Sequence, residues 1–273
     1  MILFPNCKIN LGLQVTGKRP DGYHNIETVF YPLPLHDALE IITGPSVKED
    51  VELHVTGTDI PGDNNLCKKA WELIKKDFPQ IPPVKILLHK AIPIGAGLGG
   101  GSSDGAFTLI LLNKKLQLGL SDDQLKNYAL QLGSDCPFFI LNRPCIATGR
   151  GEMMEEINVD LKDHYFILVD TGIHVSTAWA FGQLTRKSTG GELARIISEP
   201  IDSWRTQLLN DFEEPVFKQY HELRAVKEEL YNAGAVYVSL TGTGSCIYGI
   251  FNKKISNVKP NTSFKVYQLN TTS

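Results

Sequence analysis

The run Pro93-Ile94-Gly95-Ala96-Gly97-Leu98-Gly99-Gly100-Gly101-Ser102-Ser103 holds five glycines within seven positions. Without a Cβ the chain turns tightly and lets successive N–H groups converge on one point, which is how a main chain grips an anion. Ser102 or Ser103 then stands where a helix N-cap belongs, and a helix start adds unpaired donors and a partial positive charge. A strand, a glycine loop and a helix start in succession make a phosphate site. The bland alternative, a flexible surface linker, fits poorly because linkers seldom open directly into a long apolar helix. A standard P-loop is excluded, since no lysine precedes Ser102. A dinucleotide fingerprint also fails: Asp122 and Asp123 lie near the required distance but open a helix instead of following a second strand.

Three further places carry usable chemistry. Lys8 and Asn10 fall on the polar side of an alternating segment, where a lysine by itself is more often solvated. Asp135 follows Gly133-Ser134; it is either a turn or cap residue or a carboxylate able to take a proton from an attacking alcohol. Tyr23 and His24 follow the tight turn Arg19-Pro-Asp-Gly22, from which side chains project into a cleft; aromatic faces suit a base and polar groups read its edge. Taken singly, Tyr23 reads as a packed turn aromatic, His24 as a surface or capping histidine, and Phe30 and Phe181 as core. Thr241-Gly-Thr-Gly-Ser245 reads as a hairpin turn. The histidines show no His-Glu-x-x-His spacing, so no catalytic zinc is expected, and no metal-ligating side chains are assigned.

These residues need elements to position them. Residues 8–16 alternate as a half-buried strand with one polar face, and residues 51–56 as another. Leu66, Ala70, Leu73, Ile74 and Phe78 recur at helical spacing after a cap at Asn64 or Asn65. Residues 84–90 form a strand into the glycine run, and residues 106–118 a mostly buried helix after it. Ser121 with Gln124 matches a capping box, and Gly133 a helix end. Residues 150–163 are polar; the module boundary is placed there, giving 1–158 and 159–273. Beyond it come a strand at 165–169, helices including a long one at 215–232, two strands around the 241–245 turn and a last strand at 264–269. The mixture lacks strict strand–helix alternation and predicts an α+β fold.

The chain has 273 residues, 42% hydrophobic and 21% charged, with a formal net charge of −3. That balance supplies no global positive field for nucleic acid or an anionic membrane, so neither partner is expected. Five scattered cysteines, Cys7, Cys67, Cys136, Cys145 and Cys246, form no Cys-x-x-Cys pair and read as reduced, buried thiols. The first residues lack a signal-peptide pattern and no apolar run reaches spanning length, so a soluble, cytoplasmic protein is expected, as a monomer or weak homodimer.

The glycine run, the Lys8-Ile-Asn10 strand and Leu240-Thr-Gly-Thr-Gly-Ser245 occur in the order and form that resemble the GHMP kinases. Within that family, Arg19-Pro-Asp-Gly-Tyr-His24 and Gly133-Ser-Asp-Cys-Pro-Phe-Phe139 resemble the branch acting on a cytidine diphosphate-linked alcohol. The resemblance implies an N-terminal module like the second domain of ribosomal protein S5, a ferredoxin-like C-terminal module, and ATP with Mg²⁺. It makes Asp135 the general base and Lys8 its partner, and places residues 93–103 on the ATP phosphates, with Ser103 near the metal. It assigns the cytidine-linked substrate to Asn10, Tyr23, His24, Phe30, Thr177 and Phe181, and Thr241 and Thr243 to the loop or its ligand. Asp63 and its neighbours are an equivocal adenosine contact. A GHMP kinase for another alcohol, a non-catalytic nucleotide sensor and, on the S5 likeness alone, an RNA-binding module are the rivals. One departure from the family pattern is Gly105, which is expected to loosen the helix start relative to Ala by roughly 0.5–1 kcal/mol.

Overall fold

The computed structural model describes all residues except 45–46, 48, 59–64, 186–187, 256–262 and 272–273. Asp63 and Asn64 lie outside the described residues; Asn65 is the cap, its side chain accepting from the Cys67 N–H. In chain order the elements are β1 (Ile2–Leu3), β2 (Asn6–Lys18), β3 (His24–His36), β4 (Ala38–Thr43), β5 (Val51–Thr56), α1 (Leu66–Asp77), β6 (Val84–His89), α2 (Gly100–Leu116), α3 (Asp122–Leu132), α4 (Cys136–Leu141), β7 (Cys145–Thr148), β8 (Met153–Glu156) and β9 (Tyr165–Asp170). They continue with α5 (Thr177–Gly182), α6 (Leu193–Ile197), α7 (Trp204–Gln207), α8 (Glu213–Gln219), α9 (His221–Asn232), β10 (Tyr237–Leu240), β11 (Ile247–Phe251) and β12 (Lys265–Asn270). The contacts divide into two units of interleaved segments. One comprises Met1–Cys7, Leu35–Ile94 and Gly99–Arg143; the other Lys8–Pro34, Gly95–Leu98 and Pro144–Ser273.

The first unit is built on the sheet β1-β4-β6-β5, in which β5 and β6 run parallel and α1 connects them. Strand β6 alternates as its sequence dictates: Val84, Ile86 and Leu88 are buried, whereas Lys85, Leu87 and His89 are more open. Its apolar face joins Leu39 and Ile41 of β4, Trp71 and Ile74 of α1, and Leu109 and Leu112 of α2 in one core. Helix α3 starts with the full capping box: Ser121 accepts from the Gln124 N–H, and the Gln124 side chain accepts from the Ser121 N–H.

The second unit contains the antiparallel sheet β10-β11-β9-β12, the fourth, first, third and second strands read from the other edge. That order is the ferredoxin-like one expected from the resemblance. Central strand β9 is buried from Phe166 to Val169, hence its unbroken apolar run. Leu223, Val226 and Leu230 of α9 share a core with Val169, Val238, Leu240 and Ile247. The sheet β2-β3-β7-β8 also falls in this unit, apart from the ends of β2 and β3 at residues 6–7 and 35–36.

Four local expectations change. Strand β2 is buried on both faces as far as Leu13, so its polar face is an interior one. Helix α2 begins at Gly100, absorbing the end of the glycine run, and its N-cap is Gly99 in the left-handed region; neither serine caps it. The long helix at 215–232 is two, α8 and α9, broken at Tyr220. All five cysteines are free and buried, as expected. Burial pushes the thiols of Cys67, Cys136 and Cys145 up to about 12, leaving them protonated and inert at neutral pH. Among the described residues no helix is long and apolar enough to cross a membrane.

Gly105 also takes a different meaning. A Cβ there would lie 3.0 Å from the Leu66 Cβ and 3.2 Å from a Leu132 methyl, so glycine lets α2 pack closely on the start of α1 and the end of α3. The helix-propensity gain of Ala, about 1 kcal/mol, opposes an overpacking cost of about 1–3 kcal/mol. Gly105→Ala is therefore expected to lower the thermal midpoint in scanning calorimetry; a rise would show that propensity dominates.

Candidate functional site

The loop after β6 places Gly95, Gly97 and Gly99 at φ values of +70°, +79° and +71°, conformations that L side chains adopt only at a cost. Within the second unit, three consecutive loop carbonyls are tied down. Ala96 O accepts from the Cys246 N–H at 3.2 Å, and Leu98 O from the Lys8 N–H at 3.0 Å. Gly97 O accepts from Thr241 Oγ1 at 3.0 Å. The Cβ missing from Gly97 would overlap the Thr241 carbonyl oxygen, so glycine is required there for contact as well as for φ. With its carbonyls bonded into the protein, the loop has its amides left for an anion.

In the first unit the loop runs into α2. The N–H groups at 100–102 are the first turn of a long helix, with no upstream carbonyl to bond, and the Ser103 N–H makes the first helical bond to Gly99 O at 2.9 Å. Ser103 is fully buried, yet its hydroxyl has no partner among the described residues. A buried hydroxyl without a partner costs free energy unless something satisfies it, here an oxyanion or a hard cation. Pro93 and Ile94 lead into the loop, Ile94 being exposed.

Beneath that first turn lies a charge cluster that the sequence reading missed. Lys90 Nζ donates to Asp104 Oδ2 at 2.6 Å and to Asp37 Oδ2. Asp37 Oδ1 accepts from the Ala91 and Ile92 N–H groups at 2.6 and 2.9 Å. All three side chains are buried, Asp37 completely. Burial raises Asp104 to about 8, with Lys90 opposing and Asp37 reinforcing the shift. For Lys90, burial lowers the pKa but the two carboxylates outweigh it, and the ammonium is held charged. No local motif announces this cluster: its members sit 53 and 14 positions apart.

Lys8 and Asp135 belong to different units, and the structure describes each in its own. Lys8 is 3% exposed, not solvated; its ammonium donates to Asn10 Oδ1 at 2.7 Å and lies 4.7 Å from the Phe30 ring centroid. Asn10 is equally buried. Its Oδ1 also accepts from the Gly242 N–H, and its Nδ2 donates to Thr28, so its side chain is spent on orienting Lys8 and the 241–245 turn. Phe30 is 1% exposed and packs beneath the Lys8 ammonium. Asp135 lies in the turn before α4, at its N-cap position, without making a side-chain cap bond.

The aromatic candidates all lie in the second unit. His24 stacks on Phe181 with centroids 4.7 Å apart and planes at 17°, and Phe181 rests edge-on against Phe212. Tyr23 is 57% exposed, with the Arg150 guanidinium 5.0 Å from its centroid. Thr177, at the start of α5, lies with its hydroxyl 3.3 Å from that of Thr243. Thr241, by contrast, is buried and braces Gly97. Two substitutions separate conformation from contact. Gly95→Ala, whose nearest neighbour would be 3.7 Å away, costs only its backbone strain, about 1–2 kcal/mol. Gly97→Ala adds the Thr241 overlap and is expected to lower the thermal midpoint well beyond Gly95→Ala; equal midpoints would refute the brace.

Residues 65–143 match the family model described as the GHMP kinases N terminal domain, and residues 183–259 that of the GHMP kinases C terminal. The chain is 48% identical over 254 residues to a 4-diphosphocytidyl-2-C-methyl-D-erythritol kinase of Bacteroides fragilis, covering 92% of each. It is 46% identical to one of Cytophaga hutchinsonii, covering 96% of this chain and 97% of that one. Among solved structures, a 4-(cytidine 5'-diphospho)-2C-methyl-D-erythritol kinase superposes with a TM-score of 0.77 at 30% identity, over 91% of this chain and 89% of that one. The Methanococcus jannaschii mevalonate kinase superposes at 0.69 with 15% identity, covering 99% and 98%, a likeness of fold alone. With its phosphate loop, capped helix and ferredoxin-like sheet accounted for, the chain belongs to the GHMP kinases, in the family of the 4-diphosphocytidyl-2-C-methyl-D-erythritol kinases.

Proposed function

We propose that this kinase transfers the γ-phosphoryl group of ATP to the 2-hydroxyl of 4-diphosphocytidyl-2-C-methyl-D-erythritol, the reaction that gives the isoprenoid pathway its phosphorylated intermediate. The observation that carries the phosphate-binding half is the loop whose carbonyls at 96–98 are all bonded, followed by a helix start with a buried, unpartnered Ser103 hydroxyl. The relatives' names carry the acceptor. Residues 1–158 form the N-terminal portion and 159–273 the C-terminal one, the division falling between β8 and β9.

The acceptor oxygen attacks the γ-phosphorus, a new O–P bond forms, and the bond from that phosphorus to the β-bridging oxygen breaks, releasing ADP. Asp135 takes the alcohol proton as the O–P bond forms and later returns it to water. Lys8, desolvated and aimed by Asn10, directs its side-chain nitrogen at the reacting oxygens, where low polarity strengthens electrostatic stabilisation. The helix-start amides at 100–102 hold phosphate oxygens with no reorganisation. When bound, Mg²⁺ would supply positive charge that offsets that of the polyphosphate, and the buried Ser103 hydroxyl would help to hold it. Tyr23, His24, Phe181 and Thr177 recognise the cytidine end, Tyr23 by stacking and His24 along the base edge.

An ATP-consumption assay on 4-diphosphocytidyl-2-C-methyl-D-erythritol, with the product's phosphate position mapped by NMR, tests the reading; turnover of mevalonate or homoserine instead would overturn it. Asp135→Asn is expected to lower kcat by about 10²–10⁴-fold with ADP affinity kept, and near-normal turnover removes Asp135 from the mechanism. Tyr23→Ala is expected to raise KM for the cytidine-linked alcohol about tenfold, the size of one lost stacking contact, and to leave KM for ATP alone. A change in both would place Tyr23 outside the base site.

A further inference from the structure

The cluster of Lys90, Asp37 and Asp104 is too elaborate for its surroundings. Three buried ionisable side chains in an apolar core are expensive, and a hydrophobic trio of similar volume would serve stability as well. Their positions suggest another purpose. Asp37, between β3 and β4, grips the chain at the entry to the phosphate loop through the Ala91 and Ile92 N–H groups. Asp104 lies in the first turns of α2, at the loop's exit. Lys90 joins the two carboxylates. Its ammonium passes directly below the exit: a Cβ on Gly100 would come within 3.3 Å of Lys90 Nζ and 2.9 Å of an Ile92 methyl. Glycine at 100 thus lets the helix start sit down on the cluster.

We propose that Lys90, with Asp37 and Asp104, is a positioning residue for phosphoryl transfer, a clamp that ties the entry of the phosphate loop to its exit and fixes the helix start whose N–H groups at 100–102 receive the nucleotide phosphates. This rests on the phosphate-loop reading above. A glycine-rich loop has many conformations to lose, and closing it at the base removes that cost before the nucleotide arrives. The charges touch no substrate; they act through the backbone. Removing the clamp therefore weakens nucleotide binding and misaligns the γ-phosphate, while the alcohol site is untouched.

The test uses Lys90→Met/Asp37→Asn, which removes the ammonium together with the carboxylate that grips the loop entry, while Asp104, raised to about 8 by its burial, is mostly protonated near pH 7 and leaves no charge behind. The expected result is ADP affinity, by calorimetry, and kcat/KM for ATP each reduced about tenfold or more, the penalty of sub-ångström misplacement, with KM for the alcohol unchanged and unfolding still cooperative. Lys90→Arg, which keeps the charge, recovers most of the loss. A cooperatively folded double variant that binds ADP within twofold of the wild type overturns the clamp. Should the double variant not fold, hydrogen exchange on the nucleotide-free wild type decides. Protection of the Ala91, Ile92 and Ser103 amides equal to that of the β6 interior supports a preformed clamp; exchange as fast as in surface loops refutes it. A wild type that binds no ADP sinks the phosphate-loop reading itself, whereas equal binding by wild type and variant sinks only the clamp.

Discussion

A peptide loop can hold a polyanion only if its carbonyl oxygens are kept away from the charge. Every peptide unit carries both a donor and an acceptor, and a flexible glycine chain offers the two equally. Here the conflict is settled by giving the carbonyls partners. Ala96, Gly97 and Leu98 each accept a hydrogen bond, from the Cys246 and Lys8 amides and the Thr241 hydroxyl. Much else in the second unit serves this arrangement. The 241–245 turn must pass close enough to exclude any side chain at Gly97, and Asn10 holds that turn through the Gly242 N–H.

Asn10 serves two ends with one side chain. The oxygen that steadies the turn also receives the Lys8 ammonium. The strand that bonds Leu98 through the Lys8 backbone thus also aims the Lys8 side chain, with Phe30 packed below it. Loop geometry and cation placement are coupled through adjacent residues of β2. Such shared bonds explain why polar residues are tolerated at 1–3% exposure: each buried group is bonded, so the desolvation cost is offset.

The Ser103 hydroxyl and one oxygen of Asp104 are among the exceptions, buried without partners among the described residues, as are polar atoms of Gln14, Trp71, Arg150 and His164. The first two lie at the start of α2, where positive helix potential and unpaired amides also gather. Two unsatisfied groups side by side at a helix start fit a site for a charged ligand, and stability elsewhere in the core covers the cost. The first unit provides that core through β6, α1 and α2.

The glycine run, the Asn65 and Ser121 caps, the β6 alternation and the apolar run of β9 were legible from sequence because each is a local matter, set by φ freedom, periodicity or a side chain bonding its own backbone. Family likeness added the order of the ferredoxin-like sheet and the site residues. The burial of β2 on both faces was not legible, since alternation reports which residues share a face but not what covers that face. Likewise, Phe30 as the floor under Lys8, Thr241 as a brace, Gly105 as a packing point and the Asp37–Lys90–Asp104 cluster depend on atoms brought together from distant positions. Sequence by itself determined that this chain has a glycine run free to turn tightly through left-handed φ. Only tertiary structure decided which way that backbone faces, because the partners that hold its carbonyls come from elsewhere in the chain.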